Sequence, residues 1–396
     1  MKFFSQLPTF EPDAILGLQK LFLEDKRYNK VNLVIGTYEH PQKRYGGVSS
    51  VRKAQTVILE DEQNKRYLPI LGSSVFLDEM REFVFGSIDP DTVTGCQTLG
   101  GTGALHLGAK IFAMTGLTRT AYIPEQTWSN HIRIFAQEGL EIIQYPYYSL
   151  EHKNLMFEQL VAFFKNAKKY SVVLFHCCCH NPTGVDFTES MWRELAALMK
   201  ERELIPFFDM AYQGFADGID ADRKPVQLCI EAGNTVLIAV SASKNFSLYG
   251  ERVGYFAVHD IFPEEIDKIT SCLKEKVRGE YSSPNRFGGE IVATILSNPY
   301  LKQEWLSEID TIRESLNKMR TKFVHALRTV AGHTFDFILS QKGFFGYPGF
   351  STKQVLFLRE EKAVYTTAGG RLNLNGITEK NIEHVLQSLV EAYELL

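Results

Sequence analysis

Between residues 120 and 258 the chain alternates short, β-branched apolar runs with helix-like segments, and this alternation limits the fold more than any other feature. The runs at 120–123, 141–144, 171–176, 205–208, 235–240 and 253–258 read as buried strands. Between two of them, residues 187–202 carry Met191, Leu195 and Leu198 on one helical face. Strands that alternate with helices build a mainly parallel sheet covered on both sides. The expected fold class is therefore α/β, a three-layer sandwich with a mainly parallel sheet. The link between 235–240 and 253–258 is short for a parallel crossover, so one strand there is expected to run antiparallel. Beyond Asn298 the pattern changes. Residues 303–327 form a long amphipathic helix pattern, followed by the aromatic turn Phe335-Asp336-Phe337-Ile338 and a final helix over 379–395. The expected organisation is an N-terminal arm and part of a small domain over 1–40, a large ligand-binding domain over 41–300, and a smaller α+β domain over 301–396.

Composition excludes several classes. Of the 396 residues, 23% are charged and 44% hydrophobic, and the formal net charge is -4. No basic surplus exists to hold a polyanion, so nucleic acid is not an expected partner. No run of about 18 apolar residues exists, so no membrane span is expected. The first residues, with Lys2 as their one basic group and Pro8 and Pro12 close behind, do not read as a signal or transit peptide. Cys96, Cys177, Cys178, Cys179, Cys229 and Cys272 contain no C-x-x-C spacing. Strand alternation points neighbouring cysteines to opposite faces, so no metal site is expected. They read as reduced, mostly buried thiols of a cytoplasmic protein.

Four segments carry chemistry. Lys244 lies just past the 235–240 strand, with Ser243 and Ser241 one and three residues before it and Arg252 eight after. An amine that condenses with an aldehyde, beside groups that hold a phosphate, suits pyridoxal phosphate; a solvated surface lysine is the other reading. The run Gln97-Thr98-Leu99-Gly100-Gly101-Thr102-Gly103 opens a helix-forming stretch, which presents free backbone N–H groups to an anion. A dinucleotide fingerprint from Gly101 would need glycine at His106, and a P-loop from Gly103 would need Lys-Ser/Thr where Ala109-Lys110 stands. A plain turn before a helix stays open. His180-Asn181-Pro182-Thr183-Gly184 follows another strand, either as a ligand-facing Asn181 or as a simple loop. Asp209 ends an apolar strand, a costly place for a charge unless a cation such as a protonated pyridine pairs with it; a helix N-cap is the alternative. Tyr212, three residues on, offers a phenol to the same ring.

These segments, with Val31-Asn32-Leu33, Gly36, Tyr38, Trp128 to His131, Tyr281 to Pro284 and Gly370-Arg371, closely resemble the aspartate/aromatic amino acid aminotransferases. That family comprises fold type I enzymes dependent on pyridoxal 5'-phosphate, and the resemblance spans essentially the whole chain. It implies that Lys244 bonds the cofactor and shuttles a proton, and that Asp209 pairs with the ring nitrogen. Tyr212 and Asn181 would bond the phenolic oxygen, and Trp128 would stack on the ring. Arg252, Ser241, Thr102 and the backbone near Gly101 would hold the phosphate, joined by Tyr67 of a second subunit in a homodimer with shared sites. His131 and His176 would lie beneath the ring. Arg371 would clamp the substrate α-carboxylate, with Gly36, Trp128 and Asn181 also at the substrate, and Arg278 would cross the dimer interface to a distal carboxylate. Without the resemblance, the aromatics and histidines read as core groups and the arginines as solvated ones.

The sequence departs from the family in places. Gln126 stands where many members have proline, and Gly100 where some have serine. Thr37, Glu39 and Arg66 match neither the aspartate-selective nor the aromatic-accepting pattern, whereas Ser283, Glu251 and Ser247-Leu248-Tyr249 resemble the aromatic branch. The expected activity is transamination of aspartate and aromatic amino acids with 2-oxoglutarate. A strict aspartate aminotransferase, a β-lyase or racemase on the same fold, and a non-catalytic cofactor-binding regulator are the alternatives.

Overall fold

The computed structural model describes residues 3–9, 15–38, 48–60 and 65–395. Glu39 lies outside the described residues. The chain divides into two compact units. The larger comprises Thr37–Met319 and Ser340–Phe345; the smaller comprises Met1–Gly36, Arg320–Leu339 and Gly346–Leu396.

The larger unit is built on a seven-stranded sheet. Its strands are β1 Val93–Leu99, β2 Thr120–Pro124, β3 Glu141–Tyr145, β4 Val172–His176, β5 Ile205–Met210, β6 Val236–Ser241 and β7 Val253–His259. They lie in the order β1-β7-β6-β5-β4-β2-β3. Pairs β6–β5, β5–β4, β4–β2 and β2–β3 are parallel, and β7 is antiparallel to both β6 and β1. Every residue of β4, β6 and β7 is buried, which is why these strands are continuously apolar instead of alternating. β7 is antiparallel because the link over 242–252 is too short to cross a face of the sheet.

β1 is absent from the strands read in the sequence. Its residues Thr94, Gly95, Gln97 and Thr98 break the apolar signal, yet all of β1 except Leu99 is buried. Tertiary partners take up some of the polar groups: Gln97 Nε2 donates to the Asn285 carbonyl at 2.7 Å, and the Tyr281 hydroxyl donates to the Gln97 carbonyl at 3.0 Å. The helix Gly100–Met114 packs Ala104, Leu105, Ala109 and Phe112 into a core with Phe207, Leu237 and Phe256. Each such large side chain contributes roughly 1.5–3 kcal/mol.

The smaller unit has its own core of Val31, Leu33, Phe323, Phe335, Phe350, Leu358, Leu372, Val385 and Leu389. Val31–Asn32 pairs parallel with Val364–Tyr365, and the last helix is Ile382–Tyr393. The long helix Pro299–Ala331 is shared, its residues from Arg320 onward belonging to the smaller unit. Among the described residues no helix is long and apolar enough to cross a membrane. All six cysteines are free thiols, and all but Cys272 are buried.

Candidate active site

The sheet register assembles the site. β5 sets Asp209 beside His176 of β4 and Ala239 of β6, and β7 sets Gly254 between Ser241 of β6 and Thr98 of β1. Parallel strands end together, so side chains far apart in sequence meet at one sheet edge.

The first cluster is an anion cradle. The helix Gly100–Met114 starts directly from β1, placing its free backbone N–H groups at that edge. Gly100 has φ +69°, and a Cβ there would fall 2.3 Å from the Arg252 guanidinium. Only glycine lets the arginine lie across the helix start. A Cβ on Gly101 would meet Ser241 Cβ at 2.9 Å, so the backbone and that serine are in close approach. Arg252 Nη1 donates to Ser243 Oγ at 3.4 Å and to the Tyr249 carbonyl at 3.2 Å. Its Nε and Nη2 have no hydrogen-bond partner among the described residues, which leaves one edge of the fork for an oxyanion. Thr102 lies in the first turn of the same helix.

The second cluster surrounds a carboxylate. Asp209 Oδ2 accepts from His131 Nε2 at 3.0 Å, the sole hydrogen bond to that carboxylate among the described residues. Burial pushes its pKa up, but the His131 hydrogen bond, together with the neighbouring His131, His176 and Lys244 side chains, more than offsets this, holding it below the usual carboxylate range. The next helix starts at Ile219, so the N-cap reading of Asp209 has no helix to serve.

A hydrogen-bond chain runs behind this carboxylate. The Asn181 backbone N–H donates to His176 Nδ1 at 3.2 Å. Burial, helped by His131, pushes His176 down to about 3, so it is neutral and carries its proton on Nε2. That proton faces Thr127 Oγ1 at 2.9 Å; Thr127 in turn faces His131 Nδ1 at 2.8 Å. One backbone donor thus fixes each proton in the series and delivers an N–H to Asp209. Thr127 escaped the sequence reading, because nothing local marks a hydroxyl that joins histidines 4 and 49 residues away.

Around these clusters, Lys244 Nζ lies 5.3 Å from the centre of the Tyr212 ring. Asn181 is buried, and half-buried Trp128 meets His131 edge-on with centroids 5.3 Å apart. The described residues therefore bring together Lys244, Asp209, Tyr212 and the histidines, and separately the cradle of Gly100, Gly101, Ser241 and Arg252. Tyr67 is 91% exposed and Arg278 is exposed, its Nη1 donating to Ser282 Oγ at 2.5 Å. Neither hydrogen-bonds to a member of these clusters among the described residues. In the smaller unit, Arg371 is buried and its Nη2 donates to the Val34 carbonyl at 2.8 Å, two residues before Gly36.

The donor set fits a phosphorylated, cationic, aldehyde-bearing ring. The cradle suits the phosphate, the carboxylate suits a ring N–H, and the lysine suits the aldehyde. No group of acidic, histidine or cysteine side chains suited to a metal ion occurs among the described residues.

The sequence model of the family "Aminotransferase class I and II" matches residues 28–389. The chain is 38% identical to the aspartate aminotransferase of Escherichia coli (strain K12), over 98% of this chain and 99% of that one. It is 37% identical to the aromatic-amino-acid aminotransferase of the same organism, over 97% and 98%. Its structure is similar to that of the aromatic-amino-acid aminotransferase from Burkholderia pseudomallei covalently bound to pyridoxal phosphate, with TM-score 0.94, 34% identity, and 99% and 100% of the two chains covered.

Proposed function

The chain belongs to the class I and II aminotransferases, and from that premise we propose that it transfers the amino group of aspartate and of aromatic amino acids to 2-oxoglutarate, using pyridoxal 5'-phosphate. The observation that carries the reading is the Asp209 carboxylate at the end of β5, its side chain 11% exposed and held by His131 Nε2 at 3.0 Å, with its pKa held below the usual carboxylate range. A carboxylate at that depth needs a cation, and a protonated ring nitrogen meets that need. When bound, the cofactor supplies an electron sink for the substrate Cα and carries the amino group between half-reactions.

The chain's residues do the rest. Lys244 would hold the cofactor's aldehyde carbon in the resting enzyme and, once displaced by the substrate amine, would be the amine that carries a proton to and from the substrate Cα. Asp209 would pair with the protonated ring nitrogen. Tyr212 and Asn181 would hydrogen-bond the phenolic oxygen, and Trp128 would cover the ring. Arg252, Ser241, Thr102 and the Gly101 backbone hold the phosphate. Arg371 takes the substrate α-carboxylate as a two-pronged pair beside Gly36.

We assign Tyr67 and Arg278 to the site of a second copy of the chain. Their exposure leaves both side chains available to a second copy, and the exposed Tyr67 ring gains when it is covered. Mixing Lys244→Ala with Arg278→Ala subunits tests it. Each heterodimer then has one doubly damaged site and one intact site, and random exchange should restore about a quarter of wild-type activity toward aspartate. No recovery after verified exchange rejects shared sites. The six free thiols agree with a reducing, cytoplasmic setting.

Substrate range follows from Arg278. A bidentate pair with a distal carboxylate compensates for desolvation. An aromatic ring is accepted when Arg278 swings outward and stays solvated, because burying it against a phenyl ring is prohibitive. Half-reactions with single amino acids, followed by cofactor absorbance, should show turnover of aspartate, tyrosine and phenylalanine. In Arg278→Leu, aspartate should lose on the order of 10²–10³-fold in kcat/KM while phenylalanine changes little. Turnover of aspartate with no reaction of tyrosine or phenylalanine leaves a strict aspartate aminotransferase.

A further inference from the structure

Tyr249 lies in the turn between β6 and β7, five residues past Lys244 and three before Arg252. It is tied on two sides. Its carbonyl accepts from Arg252 Nη1 at 3.2 Å. Its phenolic oxygen accepts from the Tyr38 backbone N–H at 3.0 Å, across 211 residues of sequence. Tyr38 is itself fixed. It is 6% exposed, its pKa is raised by burial, and its phenol is hydrogen-bonded with Ser315 of the helix Pro299–Ala331.

The segment held by this contact has no regular structure. Residues 33–38 form neither helix nor strand, so no ladder sets the path of the backbone through Gly36 and Thr37. A backbone N–H that leaves water must find an acceptor, and here the acceptor at Tyr38 is a side chain of the loop that carries Lys244 and Arg252. We propose that Tyr249 is a positioning residue: its two contacts hold Thr37 and Tyr38, the residues that follow Gly36 in the chain, in register with the phosphate-holding arginine. This rests on the reading above that Gly36 lies at the substrate and Arg252 at the phosphate. The carbonyl contact to Arg252 is independent of the hydroxyl, so the hydroxyl can be removed without touching the cradle. The substrate requirement then falls on the part common to all amino acids, since Gly36 serves no particular side chain.

Tyr249→Phe keeps the ring and the carbonyl and removes the acceptor. In the holoenzyme, the half-saturating concentrations of aspartate and of phenylalanine should both rise about tenfold, the cost of one unanswered buried N–H. The maximal half-reaction rate should stay within about twofold, and cofactor release should be unchanged. Hydrogen–deuterium exchange supplies a direct reading: the Tyr38 amide should exchange about tenfold faster, with or without cofactor. Ser315→Ala is the control, since it removes the partner of the Tyr38 phenol and should leave that amide protected. Unchanged exchange in Tyr249→Phe overturns the proposal, as does an equal rise in half-saturation in Ser315→Ala or a loss confined to the maximal rate. If the wild-type protein transaminates no amino acid, the proposed function fails while the exchange comparison still decides the Tyr249 contact.

Discussion

Lys244→Ala should lose transamination by at least about 10⁴-fold while still binding pyridoxal phosphate. Two roles vanish with one amine: the covalent hold on the aldehyde carbon and the movement of a proton between two carbons. Binding survives because other residues provide it. The cradle of Gly100, Gly101 and Arg252 is built from the helix N-terminus that follows β1 and the link that precedes β7, and none of its hydrogen bonds involves the lysine side chain. Asp209 likewise keeps its His131 partner. The variant's absorbance should therefore show retained cofactor in a protein that does not turn over. In the wild type, borohydride reduction followed by peptide mapping should leave the stable adduct on Lys244. An adduct on another lysine would falsify the assignment and the mechanism with it.

What could be read from the sequence depended on how local the signal was. Lys244, Ser241 and Arg252 share one short run after an apolar strand, so spacing put them forward together, with a solvated surface lysine as the other reading. β4, β6 and β7 were legible because burial on both faces makes their sequences continuously apolar. β1 was not, because Thr94, Gln97 and Thr98 are buried polar residues, and the partners of Gln97, Asn285 and Tyr281, lie more than 180 residues away. The same limit hid Thr127, whose hydroxyl is meaningful only between two imidazoles, and Tyr249, whose phenol answers an amide 211 residues distant. The antiparallel placement of β7 could be anticipated from the short link alone. Residue types in a local pattern can be read from a chain; a hydrogen bond across the fold cannot, because neither partner is unusual until the other is present.

Asp209→Asn separates charge from shape, and it should fail nearly as badly as Asp209→Ala. Both should weaken cofactor binding and cut turnover by about 10³-fold or more, the order expected when a buried pair loses its anion and the ring loses its proton. The amide keeps the volume and can still meet His131, so a purely structural residue would tolerate it. The hydrogen-bond chain explains why this carboxylate is ionised. The Asn181 N–H fixes the proton positions through His176, Thr127 and His131, so that a donor always faces Asp209 Oδ2. His176 held down at about 3 remains neutral, which keeps that direction from reversing over the working range. The pH dependence follows with a definite sign. Because the folded-state pKa of Asp209 lies below its ordinary value, its contribution is complete above that value, about 3.9, and fades only as the pH falls lower. Wild-type cofactor affinity should therefore show no Asp209 titration between about pH 5 and 8, and the loss in Asp209→Asn should be constant across that window. Asp209→Glu restores an anion at altered reach and should recover part of the activity. Near-normal turnover in Asp209→Asn would leave Asp209 as a structural group at the end of β5, and the cation it is assigned to hold would have to be stabilised elsewhere.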